Sequence, residues 1–299
     1  MSTPTAVPGE QGVIHDIGYR HYSGPRLGRG AIVRALYVDS LRGAYGFGRS
    51  ARSKVTPMLL FGVMCLPALL IAVIAAVTKA TELPGGYHEY VLNLQLIVSI
   101  FLAAQAPTMV SRDLRFRVMS LYLSRPLRRG DYVLAKFAAM SSALLILIAV
   151  PLTVLFVGAL LAKLPAGDQI TGYLAALAGA VLFALVLSGI ALVIAAFTPR
   201  RGLGVAAIIT VLVVLIGVGG AAQGIAAELN SHPAAGWFGL ISPFSVVQGV
   251  QTWLLHRPNP LPADPPGTVG GLVFCAVTVL LVAGCYGLLL LRYRRVSVS

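Results

Sequence analysis

Charge is what this sequence has least of. Only 11% of its 299 residues are Asp, Glu, Lys or Arg, while 57% are hydrophobic; a soluble domain carries about 25% charged residues. The chain therefore has too few polar groups to cover a water-facing surface. It also lacks the GxxxxGK[ST] phosphate loop, which excludes an ATP site of that kind, and it has no HExxH zinc motif. Cys65, Cys275 and Cys285 all fall in apolar runs with no CxxC spacing, and read as small buried hydrophobes. His88, His232 and His256 fall in polar connections, and none of the histidines lies inside an apolar run. An intramembrane protease would need a base at that depth. No Asp or Glu lies within an apolar run either; Glu228 sits at the edge of one. Proton-coupled carriers and pumps usually hold such a group in the membrane. Lysine is scarce as well, 4 against 19 arginines.

What is present is a series of long apolar runs. About 20 apolar residues cross the ~30 Å hydrocarbon layer. Six runs meet that length, at roughly 57–78, 91–110, 134–162, 171–197, 203–227 and 269–291. Each must be helical, because lipid offers no partner to a free backbone N–H or C=O. The expected fold is an all-α integral membrane protein with six transmembrane helices. Residues 1–56 form its N-terminal tail and 57–299 the six-span domain. Pro67 and Pro151 are expected to kink spans 1 and 3. The first apolar run begins too late for a signal peptide, and residues 1–12 read as a disordered tail.

The few charges are unevenly placed. Under these spans 20 of the 23 cations fall in the N-terminal tail, the connection between spans 2 and 3, Arg200–Arg201 and the C-terminal tail. Only Lys79, Lys163 and Arg257 lie on the other side. The positive-inside rule then places both termini in the cytoplasm. The expected location is a bacterial cytoplasmic membrane.

Before span 1, Val33, Leu36, Tyr37, Leu41, Ala44 and Phe47 recur at helical spacing, with Arg34, Asp39, Arg42 and Arg49 opposite. This predicts an amphipathic helix lying in the membrane interface, its basic side toward lipid head groups. Between spans 5 and 6, Ser242–Pro243 opens a short helix with a capping hydroxyl and a proline that needs no N–H. Phe244, Val247, Val250 and Leu254 share one face, and Ser245, Gln248 and Thr252 another. Too short and polar to cross, it is expected to be re-entrant or interfacial on the outer side, near Trp237 and Trp253. The glycine-rich stretch 217–224 reads either as a helix break or as a close-packing surface.

Span 2 carries a polar stripe of Gln95, Ser99, Gln105 and Thr108. It lines a substrate path, forms a subunit interface, or serves as inter-helix glue. It leads to the most basic stretch, SRDLRFRVMSLYLSRPLRRGDYVLAK, with seven cations in 26 residues. Burying seven cations in hydrocarbon would cost on the order of 20 kcal/mol, so the stretch belongs in water. It reads as a short helix, a break at Pro126 and a restart. Asp113 and Arg117 can pair at i,i+4, and Asp131 can cap the start of span 3. Leu114, Val118, Leu121 and Tyr122 form an apolar stripe that a loop serving only topology does not require.

Six spans, the amphipathic N-terminal helix, this basic helix–Pro–helix connection and the outer segment before span 6 together resemble the permease subunits of ABC type-2 exporters. The resemblance covers most of the chain. It implies that the connection is a coupling helix docking on a separate ATPase, with Arg112, Asp113, Arg115, Arg117, Leu121, Tyr122, Arg125, Pro126, Arg128 and Arg129 at or near the contact. It further implies a second permease subunit, identical or related, and outward movement of a hydrophobic or amphiphilic substrate. The partners expected are thus an ABC ATPase, a second permease and membrane lipid, with no nucleic acid, cofactor or metal. An ion-coupled secondary transporter and a non-transporting scaffold or sensor are the competing readings.

Overall fold

The computed structural model describes Gly24 and residues 28–48, 51–78, 82–111, 113, 127–198 and 200–295. The described residues form ten helices and no strand. They are α1 (Arg29–Ala44), α2 (Ala51–Thr78), α3 (Gly86–Asn93), α4 (Gln95–Met109), α5 (Arg129–Leu161), α6 (Ala166–Phe197), α7 (Arg201–Glu228), α8 (His232–Phe238), α9 (Pro243–Leu255) and α10 (Gly267–Arg295). Helices α2, α5, α6, α7 and α10 are each long and apolar enough to cross a membrane. The α3–α4 pair adds a sixth crossing if it is taken as one span bent by 52°. The bend falls at Leu94, where the backbone leaves helical geometry.

Helices α5 and α6 form the centre. α5 packs on α1, α2 and α6; α6 also touches α4, α9 and α10. Leu144, Leu147, Ile148, Leu152 and Leu155 of α5 are fully enclosed. Lipid is as apolar as these side chains, so contact depends on close packing rather than on escape from water. Gly158 of α5 shows how close that packing is: a Cβ there would overlap the Ala72 side chain of α2. Prolines 57, 67 and 151 all lie inside continuous helices. Helix α7 likewise runs unbroken through 217–224, and Gly219 lies against Ser242. The stretch is not a helix break, and within it Gly219 packs closely while Gly217, Gly220 and Gly224 meet open space.

Two predicted surfaces turn inward. The apolar side of α1 packs on α5 and α4, burying Leu36 and Ala44. Its polar contacts follow α5 upward: Arg29 to Asp131, Tyr37 Oη to Ser142 Oγ (2.9 Å) and Tyr45 Oη to the Ala143 carbonyl (2.7 Å). They extend over 12 residues of α5, about 18 Å at 1.5 Å per residue. The stripe read as lipid-facing is thus largely spent on protein, although Phe47 stays exposed. Helix α9 is enclosed by α6, α7 and α10, and residues 243–251 are all buried, so its two predicted faces are covered as far as Gln251, while Thr252 is half-buried and Leu254 exposed. It begins at Pro243 as expected, but the Ser242 hydroxyl makes no capping bond; the Ser242 carbonyl accepts from Val246 N instead. Phe244 packs on Phe183 of α6, ring centroids 5.8 Å apart, while Arg257 just beyond α9 donates to the Thr171 carbonyl. Between those two levels α9 climbs 12 residues of α6, about 18 Å.

Candidate functional site

The arginine-rich ends of α5, α7 and α10 meet at one end of the bundle, where the connection between α4 and α5 begins and returns. Ser111 fixes its start: Oγ donates to the Ala195 carbonyl of α6 at 2.9 Å. Two residues on, Asp113 Oδ2 accepts from Tyr132 Oη at 2.6 Å and lies 2.9 Å from Lys136 Nζ. Tyr132 and Lys136 are four apart on α5 and so present one face. Lys136 is only 8% exposed. A lone buried ammonium would be costly; the Asp113 carboxylate and the Tyr132 ring, 5.5 Å from Nζ, offset its lost hydration. Tyr132 in turn packs on Tyr293 of α10 at 5.1 Å between centroids.

Around this latch, three more contacts join helix ends to one another. Arg29 of α1 makes a two-pronged bond to Asp131, at 2.6 and 2.5 Å. Its hydrogen bonds to Asp131 raise the guanidinium above its ordinary value. Asp131 also accepts from the backbone N–H of Arg128 at 3.0 Å, as the third-residue member of a capping box. Arg129 donates to the Arg294 carbonyl at 3.1 Å. Arg292 donates to the Ala196 carbonyl at 3.3 Å and lies over the Phe197 ring. The start of α5 is therefore joined to α1, α10 and the chain leaving α4, while α10 is joined to α6.

Of the predicted site residues, Asp113, Arg128 and Arg129 come together here. Arg128 is exposed and Arg129 half-buried. Asp113 pairs with Lys136 and Tyr132 rather than along its own helix. Its expected partner Arg117, together with Arg112, Arg115, Leu121, Tyr122, Arg125 and Pro126, lies outside the described residues. Lys136, read in the sequence as one more cation of a watery loop, is the residue that reading missed. The available signal was an i,i+4 Tyr–Lys pair on the first turns of a span, with a single Asp just after the preceding one. The polar stripe of α4 is covered by this chain's own helices: Ser99, Gln105 and Thr108 are buried, and Gln95 at its end is half-buried. Its hydroxyls turn to their own helix, Ser99 to the Gln95 carbonyl and Thr108 to the Gln105 carbonyl.

At the opposite end, Glu82, His88, Asp168, Gln169, Gln251 and Arg257 border a cavity of about 210 Å³. Tyr87 Oη donates to Gln169 Oε1 at 2.7 Å, which ties α3 to α6. His88 has a carboxylate neighbour, Glu89, at 3.9 Å. Among the described residues no three acidic, histidine or cysteine side chains are grouped as metal ligands.

An all-helical bundle with five or six apolar crossings, arginine gathered at one end and a short helix folded back inside the other is that of a multi-pass membrane protein. Residues 68–298, more than three quarters of the chain, match the profile of the ABC-2 family transporter proteins. The chain belongs to that family and is the membrane subunit of an ABC transporter, a class that works with an ABC ATPase. No curated protein sequence matches it.

Proposed function

We propose that this chain is the permease subunit of an ATP-driven exporter. It forms the translocation path as a dimer with a second permease subunit, identical or related, and is driven by separate ATPase subunits. ATP hydrolysis belongs to those partners; this chain has no catalytic role. In this reading 1–56 is an N-terminal segment and 57–299 the permease domain. Its basic end and both termini face the cytoplasm of a bacterium. The ATPase docks on 112–129, with Leu121 and Tyr122 as apolar anchors, Arg112, Arg115, Arg117 and Arg125 toward an acidic rim, and Pro126, Arg128 and Arg129 near the edge of the contact.

The observation that carries the proposal is the Asp113–Lys136 latch with its Tyr132 bond. A connection hinged freely between two spans would absorb a push. Here its first residues are fastened to α6 through Ser111 and to α5 through Asp113. A force applied to the connection therefore reaches the two central helices. Tyr132 and Tyr293 extend that contact to α10. The test is to purify the chain from its native membrane and assay what accompanies it. A nucleotide-hydrolysing subunit at equal stoichiometry is expected. Recovery of the intact chain with no such subunit, from membranes that transport the substrate, would count against the proposal.

A further inference from the structure

We infer that the groove between the start of α5 and the end of α10 is a binding site for an anionic phospholipid of the adjoining leaflet. The groove has a volume of about 530 Å³ and is lined by Leu127, Arg128, Arg129, Gly130, Tyr286, Leu290 and Arg294. That volume falls within the range of small-molecule pockets, roughly 300–1,000 Å³.

Its chemistry changes along its length. Tyr286, Leu290 and Arg294 stand at i, i+4 and i+8 on α10 and share one face. From Tyr286 to Arg294 is about 12 Å along the helix at 1.5 Å per residue. The Tyr286 end is apolar and rests on Phe137, ring centroids 6.1 Å apart. The Arg294 end carries three guanidinium groups from Arg128, Arg129 and Arg294, and among the described residues no carboxylate lines the groove. The two acids nearest in sequence to the α5 start are already engaged, Asp131 by Arg29 and Asp113 by Lys136. Three cations with no carboxylate among the groove's lining residues call for an anion.

The position selects which anion. Leu134, one turn from Gly130 on α5, and Leu291, next to Leu290 on α10, remain exposed. In a membrane protein those side chains face hydrocarbon, so the lipid boundary reaches the last turn of α10. The arginines stand one turn beyond it, at head-group depth. Arg129 is held there by its bond to the Arg294 carbonyl. A phosphate on the arginines with an acyl chain against Leu290 and Tyr286 satisfies both halves of the groove; a free phosphate satisfies only one. Basic pockets between spans are a recurrent setting for anionic head groups.

The permease alone suffices to test this, without any ATPase. The purified full-length chain is incubated with equimolar phosphatidylglycerol and phosphatidylcholine, and bound lipid is counted by native mass spectrometry. Phosphatidylglycerol is expected to be retained preferentially. Arg128→Gln with Arg294→Gln should reduce its retention at least ten-fold, at about five-fold per arginine. Leu290→Trp, which fills the apolar half, should also reduce it while keeping every charge. Arg200→Gln with Arg201→Gln removes the same charge elsewhere at this end and should leave retention unchanged. Equal loss in that control would mean diffuse charge attraction and overturn the site. Displacement by millimolar inorganic phosphate, with Leu290→Trp without effect, would mean a free-phosphate site and overturn the lipid assignment. If the double arginine variant no longer purifies as a monodisperse protein, Leu290→Trp is the deciding arm.

Discussion

Lys136 Nζ and Asp113 Oδ2 lie 2.9 Å apart, and the lysine is almost wholly enclosed. They are separated in sequence by the whole basic connection and joined in space at its root. Removing one partner strands the other. Asp113→Ala is therefore expected to destabilise the folded permease by about 3–5 kcal/mol, as for other broken buried pairs. Asp113→Leu combined with Lys136→Met should recover most of that loss, since an apolar pair of similar volume replaces the ions. Thermal unfolding in detergent, followed by intrinsic fluorescence, reads both. A double variant no more stable than Asp113→Ala would show that the ions are not coupled.

Asp131 serves two partners, the Arg29 guanidinium and the Arg128 backbone N–H. The Arg29 bond is exposed, and exposed ion pairs contribute little. Arg29→Ala is expected to leave unfolding nearly unchanged while increasing protease cleavage before residue 45. Asp131→Ala should be worse than Arg29→Ala, because it also removes the capping acceptor; Asp131→Asn should fall between them. If Arg29→Ala matches Asp131→Ala in the unfolding assay, the cap carries nothing.

Gly158 and Ala72 set the distance between α5 and α2. Gly158→Val has no flexible neighbour to push aside, so one helix must move. The expected loss is about 1–3 kcal/mol, typical of overpacking. A disulfide trap between α2 and α5 should also form more slowly in the variant. Wild-type stability and trapping rate would contradict the close approach.

The five long apolar helices were legible in the sequence because twenty-residue apolar runs admit one backbone solution in lipid. The start of α9 at Pro243 was legible too, since proline needs no donor there. The break at Leu94 was not, because α3 carries Tyr87, His88 and Glu89 and reads as a connection; the Tyr87–Gln169 bond to α6 and the Tyr90 bond to the Met64 carbonyl of α2 show what holds it. The inward turn of α1 was hidden for a different reason. An amphipathic stripe fits lipid and protein equally well, and α1 lies against α5, about a hundred positions away. Lys136 was misread by the same logic: a cation near a span end looks solvated until its distant acid is placed beside it. In each case what was missing is a contact between residues far apart in the chain.

The proposed orientation places Asp168 and Asn259 outside and Arg128 inside. Single cysteines introduced at these positions, in a background without the three native cysteines, should sort accordingly with an impermeant thiol reagent on intact cells. Reaction at 128 from outside would reverse the orientation and remove the connection from any cytoplasmic ATPase.

The most direct test of the central claim is retention of the ATPase by variants of the connection. Apolar anchors at the centre of an interface dominate affinity, at about 2 kcal/mol or more each when truncated, whereas rim charges mainly tune rate and salt dependence. Tagged permease carrying Leu121→Ala with Tyr122→Ala should insert normally yet lose the ATPase on purification, and Arg128→Ala alone should retain it. A double variant that keeps its ATPase and exports at the wild-type rate would contradict the account and leave the connection with no role beyond fixing orientation.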